Sequence, residues 1–498
     1  MSTQDCVVAL DISTTASKAL VLGADGRVLG LASSPHAISS PYPLWSEQEP
    51  ADWLQAAQES LCRVLAENQI TPARIQAIGL TGQMHGLVLL DQHENVLRPA
   101  MLWNDGRSAK QCDAIRDALG LARLVALTGN DAFTGFTAPK LLWVRDHEPD
   151  VYERINSVLL PKDFVRLKLT GTYATDKAGA GGTLLLDLPS RDWSYEVLSA
   201  LDIPRGWLPP TNEGLGVTGV VSHAVSKATG LREGTPVVAG AGDQAAQATG
   251  VGAVCPDIWA LTLGTSGVVF APSSVPATDA LGRAHAFPHA VPGMWHMMGV
   301  MLSAAGSLEW YRNTLASEVA LAALLEEAGR APPGCDGLVF LPYLTGERTP
   351  HADPLALGAF VGLTPRHSRG HITRAVLEGV AFGLRDNLEL LMEAGLPPPR
   401  EIRISGGGAK SPLWRQILAD VLQMDLHVVE VTEGAALGAA LLAGAGAGLW
   451  PSVEAACQAV VSTCALNSPS SNSACYEMQY ERFRDLYPRL RPYFAARP

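Results

Sequence analysis

The 498-residue chain carries 37 Lys and Arg against 49 Asp and Glu, a net charge of −12 at pH 7. That balance argues against a nucleic-acid or anionic-membrane partner, although backbone amides and a metal can still hold an anionic nucleotide locally. A length beyond the ~250–300 residues at which one core stops growing predicts two domains, and 47% hydrophobic with 17% charged residues is enough to build both cores.

Residues 7–22 (VVALDISTTASKALVL) read as two apolar strands around a polar turn, with Asp11 closing the first. A carboxylate beside the donors of Ser13, Thr14, Thr15 and Ser17 suits a metal-bound polyphosphate. It suits equally an ordinary hairpin whose hydroxyls bond their own backbone. Ala24-Asp25-Gly26 leads into a third strand over 27–31. Pro50 opens a helix to about Glu67, with Trp53, Ala57, Leu61, Val64 and Leu65 as a core-facing stripe. A strand over 75–80 ends in the loop 81–86, at the carboxyl end where open α/β sheets hold ligands.

Residues 146–234 read as polar and irregular. A buried strand at 236–240 then delivers Ala241, Gly242, Asp243 and Gln244, and the domain boundary is expected here, giving 1–240 and 241–498. Residues 259–270 (WALTLGTSGVVF) repeat the first hairpin, with Gly264, Thr265 and Ser266 in the turn and no acid at the place of Asp11. Segments 74–91 and 401–422 echo one another in the same way. Helices are expected over 303–313, 371–394 and from Ser411. The uncharged stretch 434–450 is too short for a membrane span and reads as a helix buried on a sheet. A final amphipathic helix is expected at about 476–486, ahead of Pro488.

Two halves on one plan would clamp a nucleotide between their hairpin turns. Asp243 reads equally as a catalytic base and as a cap on the next helix. The glycines 406–408 allow close backbone approach to a ligand, or simply admit the chain to a helix. Met84 and His85 sit on the strand-end loop, and Trp103, Asn104 and Asp105 offer an apolar wall and polar groups that suit a polyol. His285, His289 and His296 lack a neighbouring acid or cysteine, so no zinc site is assigned. Glu347 and Arg348 read as a structural ion pair. The eight scattered cysteines, without a CxxC pair, predict reduced thiols in the cytoplasm, and the N-terminus shows no leader pattern.

The motifs 135–147 (GFTAPKLLWVRDH) and 358–378 (GAFVGLTPRHSRGHITRAVLE) resemble the two signatures of the FGGY carbohydrate kinases, in the actin, Hsp70 and sugar-kinase superfamily. The resemblance covers nearly the whole chain, and GQMHG (82–86) with WNDGR (103–107) is similar to the ketopentose kinases within that family. It implies an α/β, two-domain actin-like ATPase fold. Each domain would have a mixed, ribonuclease H-like β-sheet core flanked by helices, with the active site in the interdomain cleft. It implies ATP-dependent phosphorylation of the terminal hydroxyl of D-xylulose, with another ketose or polyol, such as ribulose or a pentitol, as the alternative. A non-catalytic nucleotide-gated binding protein is the remaining reading.

By the same resemblance Asp243 is the general base and Asp11 holds Mg2+ through water. Met84, His85, Trp103, Asn104, Asp105, Asp243 and Gln244 would meet the sugar. Ser13, Thr14, Thr15, Lys18, Gly264, Thr265 and Ser266 would hold the phosphates, and Gly407, Gly408 and Ser411 the nucleoside. Two positions depart from the family's commonest form. Ser13 replaces a glycine, a mild strain if that position needs φ > 0, and Gln244 stands where asparagine is common. The partners implied are the sugar and ATP, with a homodimer as a family-level expectation.

Overall fold

A computed structural model describes residues 5–430 and 433–496. Strand β1 (Cys6–Ile12) turns back as β2 (Ala16–Gly23), and β3 (Val28–Pro35) extends this antiparallel meander. β1 is buried at every position because alternate side chains enter two different cores. Val8, Leu10 and Ile12 pack with Trp53, Leu61 and Val64 of helix α1 (Pro50–Glu67). Val7 and Ala9 pack on the opposite side, against a helix from the far end of the sequence.

β4 (Ile75–Gly82) runs parallel to β1, and helix α2 (Thr137–His147) follows later. β5 (Val217–Val220), β6 (Pro236–Val238) and β7 (Ala241–Gly242) complete the first sheet, in the order β5-β6-β4-β1-β2-β3 with β7 also on β4. Helix α3 (Asp243–Gly250) leads away from it. The second sheet starts with β8 (Ile258–Leu263), β9 (Gly267–Ser273), β10 (His285–Pro288) and β11 (Trp295–Met301). Helices α4 (Ala305–Leu315), α5 (Leu321–Arg330) and α6 (Arg369–Glu393) precede β12 (Glu401–Ser405). Helix α7 (Pro412–Leu422), β13 (Leu426–Val429), helix α8 (Gly434–Gly446), β14 (Thr463–Asn467) and helix α9 (Ser473–Ala495) close the chain. The order is β10-β11-β9-β8-β12-β13-β14. β8 repeats the environment of β1, antiparallel to its hairpin partner and parallel to the next long strand.

Two expectations are revised. Residues 146–234 are not a polar insertion: Leu184, Leu185, Leu186 and Leu188 are each at most 1% exposed, in two cores. Their short elements lack a clean period, which hides the burial from the sequence. Helix α9 does not stop before Pro488 but carries Pro488 and Pro492 inside it, because Tyr487 and Phe494 still reach the core and offset the lost hydrogen bonds. The chain passes from the first sheet to the second between Gly242, whose strand still pairs with β4, and Ile258; the position expected for the boundary, 240/241, comes just before this strand.

The stretch 434–450 forms α8, which supplies Ala436, Leu441 and Leu442 to the core holding Val7 and Ala9. It also crosses α3 at backbone contact. A Cβ on Gly438 would lie 1.8 Å from the carbonyl oxygen of Ala246, and one on Gly250 would lie 1.9 Å from that of Gly434. At these two positions no side chain fits between the helices. No helix among the described residues is long and apolar enough to cross a membrane. Gly438→Val forces two backbones apart and should cost about 3 kcal/mol or more, read as a large drop in melting temperature. A variant melting with the wild type would contradict this packing.

Candidate active site

Three parallel strands end together. In register, Ile12 of β1 lies beside Gly82 of β4, and Gly82 lies beside Gly242 of β7. Their carboxyl ends therefore deliver Asp11 with the turn after it, the loop Gln83-Met84-His85, and Asp243 with Gln244 to one edge of the sheet. Met84 packs on Gly242, where a Cβ would meet its Cγ at 2.8 Å. The second hairpin turn, between β8 and β9, faces the same place. Thr14 of the first turn and Ser266 of the second both line a cavity of about 290 Å³, together with Met84, His85, Trp103, Asp243 and Gln244.

Asp243 begins α3 rather than lying within it. Burial raises its carboxyl to about 7, the negative charge of Asp11 adds to this, and the backbone N–H groups of Gln244 and Asp243 oppose it. Asp11 is 4% exposed, and burial lifts it to about 6 against the opposing charge of Lys18. Its Oδ1 is buried without a hydrogen-bond partner. A buried oxygen with no protein donor beside a polyphosphate-type turn fits a hydrated divalent cation.

Ser13 does not occupy the positive-φ region, so the feared strain is absent; its hydroxyl and N–H both bond the carbonyl of Ala16. Thr14 accepts a 3.0 Å hydrogen bond from the indole N–H of Trp103, and Thr15 is exposed in the same turn. Lys18 is engaged elsewhere, ion-paired at 2.5 Å with Glu433. In the opposite turn, N–H groups at the start of α4 hold the carbonyls of Gly264 and Thr265, which fixes the turn against that helix.

In the loop after β4, His85 has φ +69, a left-handed conformation that a histidine adopts only when its surroundings over-determine it. Its backbone carbonyl accepts from Thr137 Oγ1 and from buried Lys140 Nζ, and its Nδ1 donates to the carbonyl of Gly182 at 2.6 Å. Burial lowers the ring to about 3, so it is neutral and Nε2 carries the lone pair. Trp103 is half-exposed at the rim.

Two sequence candidates fall outside the cavity. Asn104 is exposed. Asp105, 1% exposed, spends both oxygens on the Arg107 guanidinium and the N–H of Ser46. The motif therefore contributes Trp103 as a wall and Asp105 as its buried anchor.

A second pocket, of about 760 Å³, lies between α4, α5 and the start of α7. Gly407, Gly408 and Ser411 line it beside Leu308 and Leu325. Ser411 also caps α7 through Trp414 N–H. A Cβ at Gly407 would meet no protein atom within 4 Å, so packing does not demand that glycine and a ligand against the backbone would.

Several site residues escaped the sequence reading. Phe133 and Phe136 come from the segment before α2, and Val268, Met298 and Val300 from the inner face of β9 and β11. Alternation along those strands was the available signal. Glu347 and Arg348 do not pair side chain to side chain: Glu347 Oε1 accepts from the N–H groups of Leu302 and Arg348, while the guanidinium lines the cavity. His285 lines the cavity, His289 bonds the Ala253 carbonyl, and His296 stacks on Phe270. Behind the cavity, Gln48 Nε2 donates to the Thr14 carbonyl, and its Oε1 accepts from Trp53 and Gln83. This buried amide ties the first hairpin turn to the loop after β4.

The sequence pattern of the FGGY family of carbohydrate kinases matches twice, its N-terminal domain over residues 6–250 and its C-terminal domain over 259–447. The chain is 41% identical to a xylulose kinase of Escherichia coli strain K12, over 98% of this chain and 100% of that protein. A crystal structure of a xyloylose kinase from Brucella ovis superposes with a TM-score of 0.92 at 38% identity, covering 98% and 99% of the two chains. A xylulose kinase structure from Rhodospirillum rubrum gives 0.93 at 33%, covering 98% and 100%.

In metal-free protein, Asp243→Asn should raise the melting temperature. The folded carboxyl ionises near pH 7 and the unfolded one near 3.8. Between those values the folded state holds the extra proton, so wild-type stability falls as pH rises through the window. The gain in the variant should therefore be small at pH 5 and reach at least about 2 °C at pH 8. A gain that is absent, or flat with pH, would contradict the buried-carboxyl assignment.

Proposed function

The chain belongs to the FGGY family of carbohydrate kinases and has its two-domain actin-like ATPase fold; from that premise we propose that it transfers the γ-phosphoryl group of ATP to the terminal hydroxyl of D-xylulose, giving D-xylulose 5-phosphate and ADP. The observation that carries this reading is the meeting of Asp243 with both hairpin turns in one cavity. Asp243 takes the hydroxyl proton as the oxygen attacks the γ-phosphorus. Its carboxyl near pH 7 is matched to that task, because a base works best when it is part-way between proton states at the working pH.

The phosphates would lie between the Ser13-Thr14-Thr15 turn and the Gly264-Thr265-Ser266 turn. Their backbone N–H groups and hydroxyls can donate to developing negative charge. Asp11 is the residue to hold Mg2+, through water, with its partnerless Oδ1; when bound, that ion neutralises phosphate charge. Lys18 contributes through Glu433 rather than directly. The adenosine is assigned to the pocket with Gly407, Gly408 and Ser411, where apolar Leu308 and Leu325 suit a base.

The sugar is assigned to Met84, His85, Trp103 and Gln244. His85 Nε2 accepts a hydrogen bond from one hydroxyl, Gln244 bonds a second hydroxyl, and Met84 and Trp103 cover carbon. We place the enzyme in the cytoplasm, where its eight unpaired cysteines stay reduced. A homodimer follows only from the family, and the mass in solution tests it.

ADP release should be measured with and without xylulose, ribulose, xylitol, ribitol and glycerol. Release should depend on sugar, and xylulose should give the highest kcat/KM. Preference for another sugar would move the substrate assignment, and release indifferent to every sugar would remove the kinase reading.

A further inference from the structure

Arg348 reaches the cavity from the loop after Tyr343, and two contacts fix its guanidinium. Nη1 lies 3.1 Å from His285 Nε2, the guanidinium carbon sits 4.5 Å from the Phe133 ring centre, and the rest of the group lines the cavity. The direction of the first bond can be worked out. Asn130 Nδ2 donates to the carbonyls of Thr128 and Ala286, so Asn130 Oδ1 faces His285 Nδ1 at 2.9 Å. Nδ1 therefore carries the proton and Nε2 accepts from Arg348.

Among the described residues the guanidinium has no ion pair. The carboxylate whose charge reaches it, Glu347, is spent on backbone N–H groups. Its remaining N–H donors open on the cavity. The charge acts on His85 and His285, whereas Asp243 feels Asp11 instead. The cavity thus has an acidic end and a cationic end. The loop is held independently of any ligand: Tyr343 bonds His351, His351 stacks on Tyr487 of α9 at 3.6 Å, and Tyr487 donates to Asp353.

We propose that Arg348 is a substrate-binding and specificity-determining residue, whose free N–H groups take the sugar oxygens remote from the hydroxyl that Asp243 deprotonates. This rests on the sugar-kinase reading of the same cavity. A guanidinium can only donate, so it matches the carbonyl and hydroxyl oxygens of an open-chain ketose. An analogue lacking the contacted oxygen leaves a desolvated cation without a partner, which is how such a site discriminates. Lysine cannot replace it, because one ammonium cannot reproduce the planar donor set that also meets His285 and Phe133.

The test compares wild type, Arg348→Met and Arg348→Lys in two assays. Steady-state kinetics uses xylulose, its monodeoxy analogues and ATP; calorimetric titration measures xylulose binding without ATP. Arg348→Met should raise the sugar KM and Kd on the order of 10–100-fold, while the KM for ATP and the melting temperature stay near wild type. Arg348→Lys should recover little. Wild type should reject one deoxy analogue by a similar factor, and Arg348→Met should lose that discrimination. Unchanged sugar affinity in Arg348→Met would overturn the proposal, as would loss of both substrate affinities together with stability, the signature of a structural role. If wild type turns over no sugar, the kinase reading fails, and the titration decides the Arg348 proposal by itself.

Discussion

The backbone contact between α3 and α8 is the constraint on which the site depends. Asp243 opens α3, and α8 lies both on β1, whose last residue but one is Asp11, and against α3 itself. Because Gly250 and Gly438 leave no gap, α8 sets how far the helix opened by Asp243 sits from the strand carrying Asp11. Residues some 190 positions apart in the chain become one rigid support. A seam of side chains would allow rotamer slack, whereas touching backbones allow almost none.

That support is used to hold two acids where neither is comfortable. Both Asp11 and Asp243 are raised mainly by burial, and the charge of Asp11 raises Asp243 further. Such an arrangement costs folding free energy at neutral pH and gives a base that can accept a proton there. Away from this pair, the neutral imidazoles of His85 and His285 and the cation of Arg348 give the cavity a fixed electrical direction. Gln48, bonded both to the Thr14 carbonyl and to Gln83 beside Met84, keeps the first hairpin turn and the loop after β4 in register.

Much of this was legible in the residues. The doubled hairpin predicted the doubled sheet, because an apolar run, a Gly/Ser/Thr turn and an apolar return have few other ways to fold. Asp11, Met84, His85, Asp243 and Ser266 converge because each lies within three residues of a strand end, and strand ends are what periodicity marks best. Asp105 was misplaced because spacing cannot distinguish a carboxylate facing a ligand from one saturated by an arginine two residues on. Arg348 and Phe133 stayed hidden because they lie on irregular segments far in sequence from the strand ends they meet, and no local pattern records that meeting. The buried leucines of 184–188 were missed for a similar reason, their elements being too short to show a period.

The central claim is that Asp243 removes the proton, and single-turnover phosphoryl transfer in Asp243→Asn tests it most directly. The side chain keeps its size and loses only its basicity. With enzyme in excess over ATP and saturating xylulose, transfer should slow by ~10²–10⁴-fold relative to wild type, while titrations show both substrates still bound. Transfer within about tenfold of wild type, with both ligands bound, would contradict the account.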